Sequence, residues 1–395
     1  MTEKLFEMLQ ARGFVKDITH ADEIRAALNS DKKITFYVGL DPTADSLHIG
    51  HFFALRMLRH IQNAGHRGIV IIGGATAMIG DPSGRSDMRT MITPEQIKHN
   101  IAEVRKLAER FVLPDTIILD NAEWLNKFNY VDFLRLVCVH FNMNTMLAAD
   151  AYKKRREEGG LTFLEMGYMP MQAFDFVHLN KEHDCVLQIG GSDQWGNIVA
   201  GVELYRKMNI GNPDAGHLWG MTAPLLMTTD GEKMGKTAKG AIWVASDRTT
   251  PYDFYQYFYN TMDADCKLLL ALFTDIPMDE IDAIIADDIV LAKKRMAFEV
   301  TKLIHGEAIA NDVVGGRDSA AIPTIELEPK NATLVVSILV DAKIFSSKSE
   351  ARRTIEQGGL KMNDVIVDNA DLAIITTGEY MFQKGKKTFL KVIIK

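Results

Sequence analysis

Short β-rich runs alternate with helical segments along the first half of this 395-residue chain, and no other feature limits its possible folds as strongly. Four apolar runs bounded by Gly, Pro or Asp lie at 34–40, 68–72, 116–119 and 185–189. Between the first two, segment 50–64 repeats its apolar residues with a helical period. This β-α-β pattern predicts an α/β fold in which helices cover a parallel sheet. Ligands of such sheets bind beyond the carboxyl ends of the strands, so we expect the functional site in the loops there.

The remainder of the chain divides into segments of different pattern. From 252 to 317 the apolar periodicity is helical throughout, a proline-bearing stretch of mixed charge follows, and the end of the chain combines one helix with short strands. We therefore predict an α/β domain over 1–228, a lysine-rich loop and helical domain over 229–320, a linker over 321–333 and a small α/β module over 334–395.

Composition excludes several classes of protein. With 47% apolar and 25% charged residues the sequence is typical of a soluble globular protein. No apolar run approaches the roughly 18 residues of a membrane span, and the N-terminus lacks the features of a secretory signal. The three cysteines are far apart, which argues against a disulfide framework or a zinc site and favours a reducing, cytoplasmic compartment.

Charge is unevenly distributed along the chain. The formal net charge is −7, which taken alone argues weakly against a nucleic-acid-binding protein. Basic residues nevertheless cluster after position 341. For any single lysine in this cluster, the commoner explanation is a solvated surface. A terminal segment with this bias predicts a module that binds a polyanion.

Two histidines three residues apart follow the first predicted strand. His48 and His51 stand where a helix begins, beside the positive end of its dipole, and Gly50 between them allows a flat ligand to approach. This arrangement is typical of an anion site, although a histidine pair at a polar helix cap is the commoner interpretation of the motif alone. Zinc proteases use a four-residue spacing with an adjacent Glu, so a metal site is not predicted.

A second cationic element lies in the segment DGEKMGKT at 230–237. Lys233 and Lys236 are three residues apart in a glycine-bearing loop, which suits a charge clamp on a polyphosphate. Taken alone, a segment of this kind is usually just a solvated loop. The pattern of a P-loop is absent from the sequence.

Together the two elements resemble the paired signatures of class I aminoacyl-tRNA synthetases, HIGH at 48–51 and a KMSKS-type loop. The stretches YVGLDPTADSLHIGH, GGATAMIGDPSG and LQIGGSDQWGN and the basic C-terminal segment resemble bacterial tyrosyl-tRNA synthetases along nearly the whole chain. Gly235 replaces the first serine of the KMSKS consensus. The resemblance implies a Rossmann-like catalytic domain, an anticodon-binding helical domain and an RNA-binding module. It also implies a ligase that activates L-tyrosine with ATP and transfers it to its tRNA.

A polar stripe supports tyrosine as the substrate. Glu165, Tyr168, Gln172 and Asp175 follow spacings that place them on one face of a helix starting near Gly167, among Met and Phe. An amphipathic helix with its polar side in water is the alternative. A site that accepts tyrosine and rejects phenylalanine needs buried polar groups, a rule for which tyrosyl enzymes are the usual example.

The resemblance also implies roles for individual residues. The tyrosine phenol would bind Tyr37 and Asp175, and its ammonium would bind Asp81, Tyr168 and Gln172. The phosphates would bind Thr43, His48, His51, Lys233 and Lys236, with Arg85 and Arg89 as a second clamp. The rest of the predicted ATP and tyrosine site consists of Gly39, Asp41, Gly50, Gly191, Asp193, Gln194, Leu225, Leu226 and Thr237.

Partners follow from the same resemblance. We expect Mg²⁺ to arrive with ATP and expect no resident metal. The predicted assembly is a homodimer whose candidate interface is 133–146 with Phe163, and plain core is the alternative for that run. The candidate RNA-binding residues are Lys348, Arg352, Arg353 and Lys361. Two other functions stay open from sequence, a non-enzymatic RNA-binding paralogue of a synthetase and a nucleotidylyltransferase.

Overall fold

A computed structural model describes residues 4–83, 92–231, 234–237, 240–315, 324–327, 333–342, 344–363, 365–374, 377–385 and 388–394. The chain forms two compact units, one of Met1–Thr249 with Asn260–Met296 and one of Thr250–Tyr259 with Ala297–Lys395. Among the described helices, none has the length and apolar character that a membrane span requires.

The first unit contains a five-stranded sheet of order β3-β2-β1-β4-β5, in which every neighbouring pair is parallel. Its strands are β1 (Thr35–Leu40), β2 (Arg67–Ile72), β3 (Ile117–Asp120), β4 (Cys185–Gly191) and β5 (Trp219–Ala223). The first four lie within two residues of the predicted bounds, and the sequence analysis did not predict β5. Because β1 is flanked by β2 and β4, the strand order reverses there, and this is where a ligand crevice forms in such sheets.

Within the described residues, eleven helices precede the second cationic element. They are α1 (Leu5–Arg12), α2 (Ala21–Leu28), α3 (Ile49–Asn63), α4 (Pro94–Glu109), α5 (Ala122–Leu125), α6 (Tyr130–Leu136), α7 (Met143–Ala148), α8 (Asp150–Glu158), α9 (Phe163–Met166), α10 (Tyr168–His183) and α11 (Trp195–Met208). Three single 3₁₀ turns accompany them, at Thr76–Met78, Cys138–His140 and Ser192–Gln194.

The core of this unit packs against the sheet. Tyr37 and Ile69 of the two central strands are buried together with Phe176 and Leu179 of α10 and with Trp124. A buried helix–sheet contact of this kind removes apolar surface from water on both elements, at about 25 cal/mol per Å². It also holds the start of α10 close to the carboxyl ends of the strands.

The predicted polar stripe belongs to two helices instead of one. α9 ends at Met166, and α10 begins at Tyr168 with Pro170 in its first turn, where a proline removes no helical hydrogen bond. Glu165 therefore lies on α9, where it accepts hydrogen bonds from Thr162 and pairs with the buried Arg155 at 2.8 Å. The prediction that Glu165 shares the stripe is wrong, because a capping box takes it into a separate helix.

A short hairpin follows, formed by β6 (Lys236–Thr237) and β7 (Gly240–Ala241). The helical segment predicted beyond residue 252 comprises five helices. They are α12 (Pro251–Tyr259), α13 (Asp263–Phe273), α14 (Met278–Asp287), α15 (Ile289–His305) and α16 (Glu307–Val314).

The end of the chain forms a small module with its own core. Its elements are β8 (Thr324–Leu327), β9 (Thr333–Leu334), α17 (Val335–Asp341), α18 (Lys348–Glu356), β10 (Leu360–Met362), β11 (Val365–Ile366), β12 (Ala373–Ile374), β13 (Gly378–Lys384) and β14 (Thr388–Ile394). The main sheet has the order β11-β10-β13-β14-β8, and β9 pairs with β12. Buried residues of both helices and of the central strands pack into one cluster, among them Leu339, Ile355, Phe382 and Leu390.

One strand of this module lies within the predicted linker. β8 pairs in parallel with β14, and Ile325 and Leu327 pack against the module core. Pro323 and Pro329 flank the strand and gave the segment the composition of a linker, although its alternating apolar residues belong to a strand. Residues 324–327 are therefore part of the module.

Candidate active site

A cavity of about 530 Å³ opens beyond the carboxyl ends of β1, β4 and β5 in the first unit. Residues of β1, of the loops after the strands, of the first turns of α3 and α10 and of the lysine-rich segment line it. Its position is the one predicted from the β-α-β pattern, since the strand order reverses at β1. Its volume is that of a pocket for a small-molecule ligand.

Three buried polar atoms in this cavity bond to no described residue. They are Tyr37 Oη, Gln172 Oε1 and Gln188 Oε1. Tyr37 and Gln188 are direct neighbours across β1 and β4, and Gln172 comes from α10. A buried polar atom without a partner costs about 1–3 kcal/mol, so three of them in one cavity indicate a ligand that supplies the missing hydrogen bonds.

Asp175 lies 3% exposed on the same wall of the cavity. Its Oδ1 accepts a hydrogen bond of 2.8 Å from Trp124 Nε1, and its Oδ2 accepts one of 3.0 Å from Asn121 Nδ2. Burial raises the pKa of this carboxyl to about 7, against the lowering effect of these two hydrogen bonds. Each carboxylate oxygen can accept a further bond, so Asp175 and Tyr37 can together satisfy a hydroxyl that both donates and accepts.

The polar groups around Asp41 form a bonded network. Asp41 Oδ2 accepts a hydrogen bond of 2.9 Å from Tyr168 Oη, and its Oδ1 accepts one of 2.9 Å from Thr76 Oγ1. Asp81 accepts separately, from Ser83 N–H at 2.8 Å and from Gln194 Nε2 at 2.6 Å. Two carboxylates of one cavity are thus held in fixed positions by different elements, an arrangement suited to a ligand cation.

His48 and His51 shape the entrance of α3. His48 is the N-cap residue, and its Nδ1 accepts hydrogen bonds from the N–H groups of Gly50 and His51 at 3.1 and 3.3 Å. These two N–H groups of the first helical turn are therefore already bonded to His48. A neutral imidazole that accepts at Nδ1 carries its proton on Nε2, so each such ring is a donor at Nε2.

The two rings are packed together as a unit. Their centroids lie 3.7 Å apart with an interplanar angle of 11°, and both line the cavity. A Cβ added at Gly50 would lie 3.0 Å from the His48 ring, which explains the glycine between the histidines. The backbone at position 50 passes so close to the His48 ring that it needs a residue without a side chain, and the same property would let a ligand approach.

The lysine-rich segment lies against the start of α3. Met234 and Gly235 line the cavity, and Ile49 N–H donates a hydrogen bond of 3.0 Å to Ile242 O just after the hairpin. Gly235 has a φ of +81°, and a Cβ there would lie 2.3 Å from Ile49 Cγ2. Two elements about 180 residues apart in the predicted pattern therefore meet at one cavity.

Most of the predicted site residues line this cavity. The lining residues among them are Tyr37, Gly39, Asp41, Thr43, His48, Gly50, His51, Asp81, Tyr168, Gln172, Asp175, Gly191, Asp193, Gln194, Leu225 and Leu226. Arg85, Arg89 and Lys233 lie outside the described residues. Lys236 and Thr237 form β6, and only their backbone is described.

Sequence reasoning missed several polar residues of the cavity. Gln188 stands at a buried position in the middle of an otherwise apolar strand, which was an available signal. Asn121 directly follows β3, and Thr76 follows β2, so both obey the rule that placed the other loop residues. Trp124, which holds Asp175, had no such signal because its indole looks like ordinary core.

The candidate RNA-binding residues lie in the C-terminal module. Lys348, Arg352 and Arg353 are exposed on α18, and Lys361 is exposed on β10. Arg352 pairs with Asp371 at 2.7 Å, which offsets part of its charge. The structure therefore leaves a largely cationic helix face at the surface of the module.

Comparisons with known proteins agree along the chain. A family model described as tRNA synthetases class I (W and Y) matches residues 29–315, and one described as Tyrosine--tRNA ligase SYY-like C-terminal domain matches residues 317–392. A tyrosine–tRNA ligase of Clostridium beijerinckii is 46% identical over 414 residues, covering 100% of both chains. One of Caldanaerobacter subterraneus subsp. tengcongensis is 47% identical over 410 residues, covering 99% of each.

Solved structures share the fold. A C-terminally truncated mitochondrial tyrosyl-tRNA synthetase of Aspergillus nidulans matches with a TM-score of 0.70 and 29% identity, covering 80% of this chain and 93% of that one. The tyrosyl-tRNA synthetase of Archaeoglobus fulgidus, complexed with L-tyrosine, matches with a TM-score of 0.60 at 19% identity, covering 78% and 99%. At that identity the likeness concerns the fold alone.

Proposed function

This chain belongs to the class I tRNA synthetase family of the tryptophan and tyrosine enzymes, and we infer from that premise and from its cavity that it joins L-tyrosine to tyrosine tRNA with ATP. The observation that carries the choice of tyrosine is the unbonded Tyr37 hydroxyl in the cavity that Asp175 also lines. A phenol can donate to Asp175 and accept from Tyr37, whereas phenylalanine leaves the Tyr37 hydroxyl buried without a partner and gives Asp175 no bond beyond those from Trp124 and Asn121.

The ammonium group of tyrosine binds a second set of polar residues in the cavity. Gln172 offers a buried oxygen that has no partner among the described residues, and Asp81 supplies a negative charge. Tyr168 is held by Asp41 and adds its hydroxyl oxygen as a further acceptor. This set satisfies an amino group with polar contacts and one nearby counter-charge.

ATP occupies the remainder of the cavity. A Cβ at Gly191 would lie 2.6 Å from Asp193 Oδ1 and 3.9 Å from a methyl group of Leu225, so a flat ligand can lie closely against this corner. We assign the ribose to Gly39, Asp41 and Asp193, and the adenine to Leu225 and Leu226. Mg²⁺ arrives with the nucleotide as part of the substrate.

The first step needs no general base. A carboxylate oxygen of tyrosine attacks the α-phosphorus, forming an acyl–phosphate bond as the bond to the bridging oxygen breaks, and pyrophosphate leaves. His48, His51 and Thr43 donate hydrogen bonds where charge develops, and Lys233 and Lys236 hold the departing pyrophosphate. Catalysis of this type consists of positioning and electrostatic stabilisation.

The second step consumes the adenylate. The terminal ribose hydroxyl of the tRNA attacks the tyrosyl carbonyl carbon and an ester forms. AMP leaves with the electrons of the broken acyl–phosphate bond, and its phosphate takes up the proton of the hydroxyl. The exposed cationic face of α18 binds RNA phosphates and reads shape more than sequence. The helices over 251–314 are assigned to the anticodon region of the tRNA.

We also propose a homodimer. Within the candidate interface 133–146, Leu136, Val139 and Met143 are 55%, 68% and 50% exposed, and Phe163 is 71% exposed. Phe133 and Val137 of the same run belong to the core instead, so only part of the run is available to a partner. Exposed apolar residues in this density are typical of an interface.

We also propose a cytoplasmic location, because tyrosine tRNA is charged there and because the described cysteines are free thiols.

One assay separates this function from the two alternatives. Tyrosine-dependent exchange of labelled pyrophosphate into ATP is expected, with phenylalanine and tryptophan as controls that support little exchange. A non-enzymatic RNA-binding paralogue gives no exchange with any amino acid. A nucleotidylyltransferase exchanges pyrophosphate without needing tyrosine, and either result would refute the assignment.

A further inference from the structure

Two histidines and a glutamate from distant parts of the chain lie together on the surface of the first unit. His20 is the N-cap residue of α2, Glu23 is in its first turn, and His217 lies two residues before the start of β5. One ligand-capable atom from each of the three lies within 4.8 Å of the other two. The histidine rings are stacked with centroids 5.0 Å apart, and His217 Nδ1 lies 3.5 Å from Glu23 Oε2.

The backbone holds these residues in place. Thr19 N–H donates a hydrogen bond of 3.0 Å to Gly220 O, and Ile18 forms an isolated antiparallel bridge with Met221. Gly220 N–H donates in turn to Thr19 Oγ1 at 3.0 Å. The segment before α2 is therefore fixed along β5, and the cluster lies at the end of this paired stretch. Such pre-alignment lowers the ordering cost of binding.

Two neighbouring groups orient the cluster. Thr19 Oγ1 lies 3.0 Å from His20 Nδ1, and Trp219 Nε1–H donates a hydrogen bond of 3.0 Å to Glu23 Oε2. Metal-binding histidines and carboxylates in proteins are usually oriented by hydrogen bonds of this kind.

We propose that His20, Glu23 and His217 bind a divalent transition metal such as Zn²⁺, each through one side-chain atom, with water completing the coordination. Two imidazoles and one carboxylate are a known ligand set for Zn²⁺. Ligand atoms around a tetrahedral zinc lie about 3.4 Å apart, a value that follows from bond lengths of about 2.1 Å. The distance of 3.5 Å between His217 Nδ1 and Glu23 Oε2 is already close to this value. The ligand atom of His20 lies within 4.8 Å of those of Glu23 and His217, so rotation of side chains is enough to bring all three to one ion.

A metal here would act on structure. The site is on the surface, and none of its three residues lines the catalytic cavity. A bound ion would cross-link the start of α2 to the segment before β5 and so raise the thermal midpoint of the folded chain. The alternative for the same geometry is a histidine–glutamate ion pair that binds no metal.

The test is a titration of the full-length, chelator-treated protein with Zn²⁺ alone, in which isothermal titration calorimetry measures binding. The wild-type chain is expected to bind one equivalent that His20→Ala and His217→Ala each weaken by about tenfold or more. His99→Ala, which removes an exposed histidine of α4, serves as the matched control and should leave that equivalent unchanged. Tyrosine-dependent exchange activity should be the same for all variants, which verifies that they are folded.

A second variant tests the orienting hydrogen bond. Trp219→Phe keeps a ring at β5 but removes the N–H that holds Glu23, and it should weaken Zn²⁺ about 10- to 100-fold. If the doubly substituted His20→Ala/His217→Ala chain binds as many equivalents of Zn²⁺ as the wild type, with equal affinity, the cluster is an ion pair only and the proposal is overturned.

Discussion

We expect selectivity for tyrosine to depend on single residues, above all on the buried hydroxyl of Tyr37, which has no bond to any described residue. Tyr37→Phe should weaken tyrosine binding by about 0.5–1.5 kcal/mol, or roughly 2- to 10-fold. It should leave the free energy of unfolding of the ligand-free protein unchanged or raised, because an unpaired buried hydroxyl is removed. Tyrosine titration and thermal unfolding measure the two effects.

Tyr152 provides the matched control. It is fully buried as well, but its hydroxyl donates to Met166 O at 3.2 Å and accepts from Met169 N–H at 3.4 Å. Tyr152→Phe should therefore lose stability. If Tyr37→Phe is destabilised as much as Tyr152→Phe and binds tyrosine as before, Tyr37 is ordinary core.

The carboxyl of Asp175 predicts a pH dependence. Burial raises its pKa to about 7, and only the ionised form accepts the phenol hydrogen. Since the raised pKa favours the protonated form below pH 7, tyrosine affinity should fall as the pH is lowered through that value and level off above it. The dissociation constant measured between about pH 5.5 and 8.5 tests this, with Asp175→Asn expected to give a flat profile. An affinity of the wild type that rises toward acid would contradict the assignment.

At the scale of structural elements, the lysine-rich segment lies tightly against the start of α3 at Gly235. In Gly235→Ala the added Cβ meets Ile49 Cγ2 at 2.3 Å, so the segment has to move away from the cavity. Displacement by about 1 Å from a reacting phosphate should slow pyrophosphate exchange about 10- to 100-fold while tyrosine affinity stays the same. Steady-state exchange and tyrosine titration measure the two effects.

Gly231→Ala separates this contact from backbone strain. Gly231 has a φ of +85°, close to the +81° of Gly235, yet a Cβ there meets nothing within 4 Å. Its substitution should slow exchange far less than Gly235→Ala does. Equal effects of the two would attribute the loss to backbone strain and remove the role of the Ile49 contact.

Elements were predictable from sequence where one periodicity governed them. The apolar runs that became β1 to β4 had strand length and clear boundaries, so their positions followed directly. β8 was not predicted, because the prolines on either side of it in the sequence indicated a linker and because its pairing with β14 is a long-range contact. Glu165 was misplaced because helical spacing alone does not show that a capping box at Thr162 starts a separate helix.

At the scale of the whole molecule, charging of tRNA should depend on the C-terminal module while activation of tyrosine should not. The module has its own core, and its family match begins after the one that contains the cavity residues. A chain ending at Gly315 should retain tyrosine-dependent exchange within about twofold but lose most tRNA charging. The readouts are exchange and aminoacylation, and unimpaired charging would refute the role of the module.

Full-length variants check that result without removing a domain. Lys348, Arg353 and Lys361 are exposed, and substitution of all three by Ala removes positive charge from the proposed RNA surface. Tyrosine activation should be unchanged. Charging should weaken relative to the wild type, and most at low salt, because high salt screens the phosphate contacts that only the wild type makes.

The part of the cavity that could not be read from sequence is the network of indirect contacts. Trp124 and Asn121 hold Asp175 from positions outside the recognised motifs. Gln188 lies within the stretch LQIGGSDQWGN, but no role was predicted for it, and its oxygen has no partner among the described residues. Their roles depend on which strands become neighbours, a property of the folded sheet. Conversely, the paired cationic motifs were informative because one cavity has to hold all of a triphosphate.

The most direct measurement is the ratio of kcat/KM for tyrosine to that for phenylalanine in pyrophosphate exchange, compared among the wild type, Asp175→Ala and Lys236→Ala. A slot for the phenol and a separate clamp for the phosphates predict that Asp175→Ala lowers the ratio sharply. Lys236→Ala should slow both amino acids by about 10²-fold and leave the ratio as it was. An unchanged ratio in Asp175→Ala, or a changed one in Lys236→Ala, would contradict that division of the cavity.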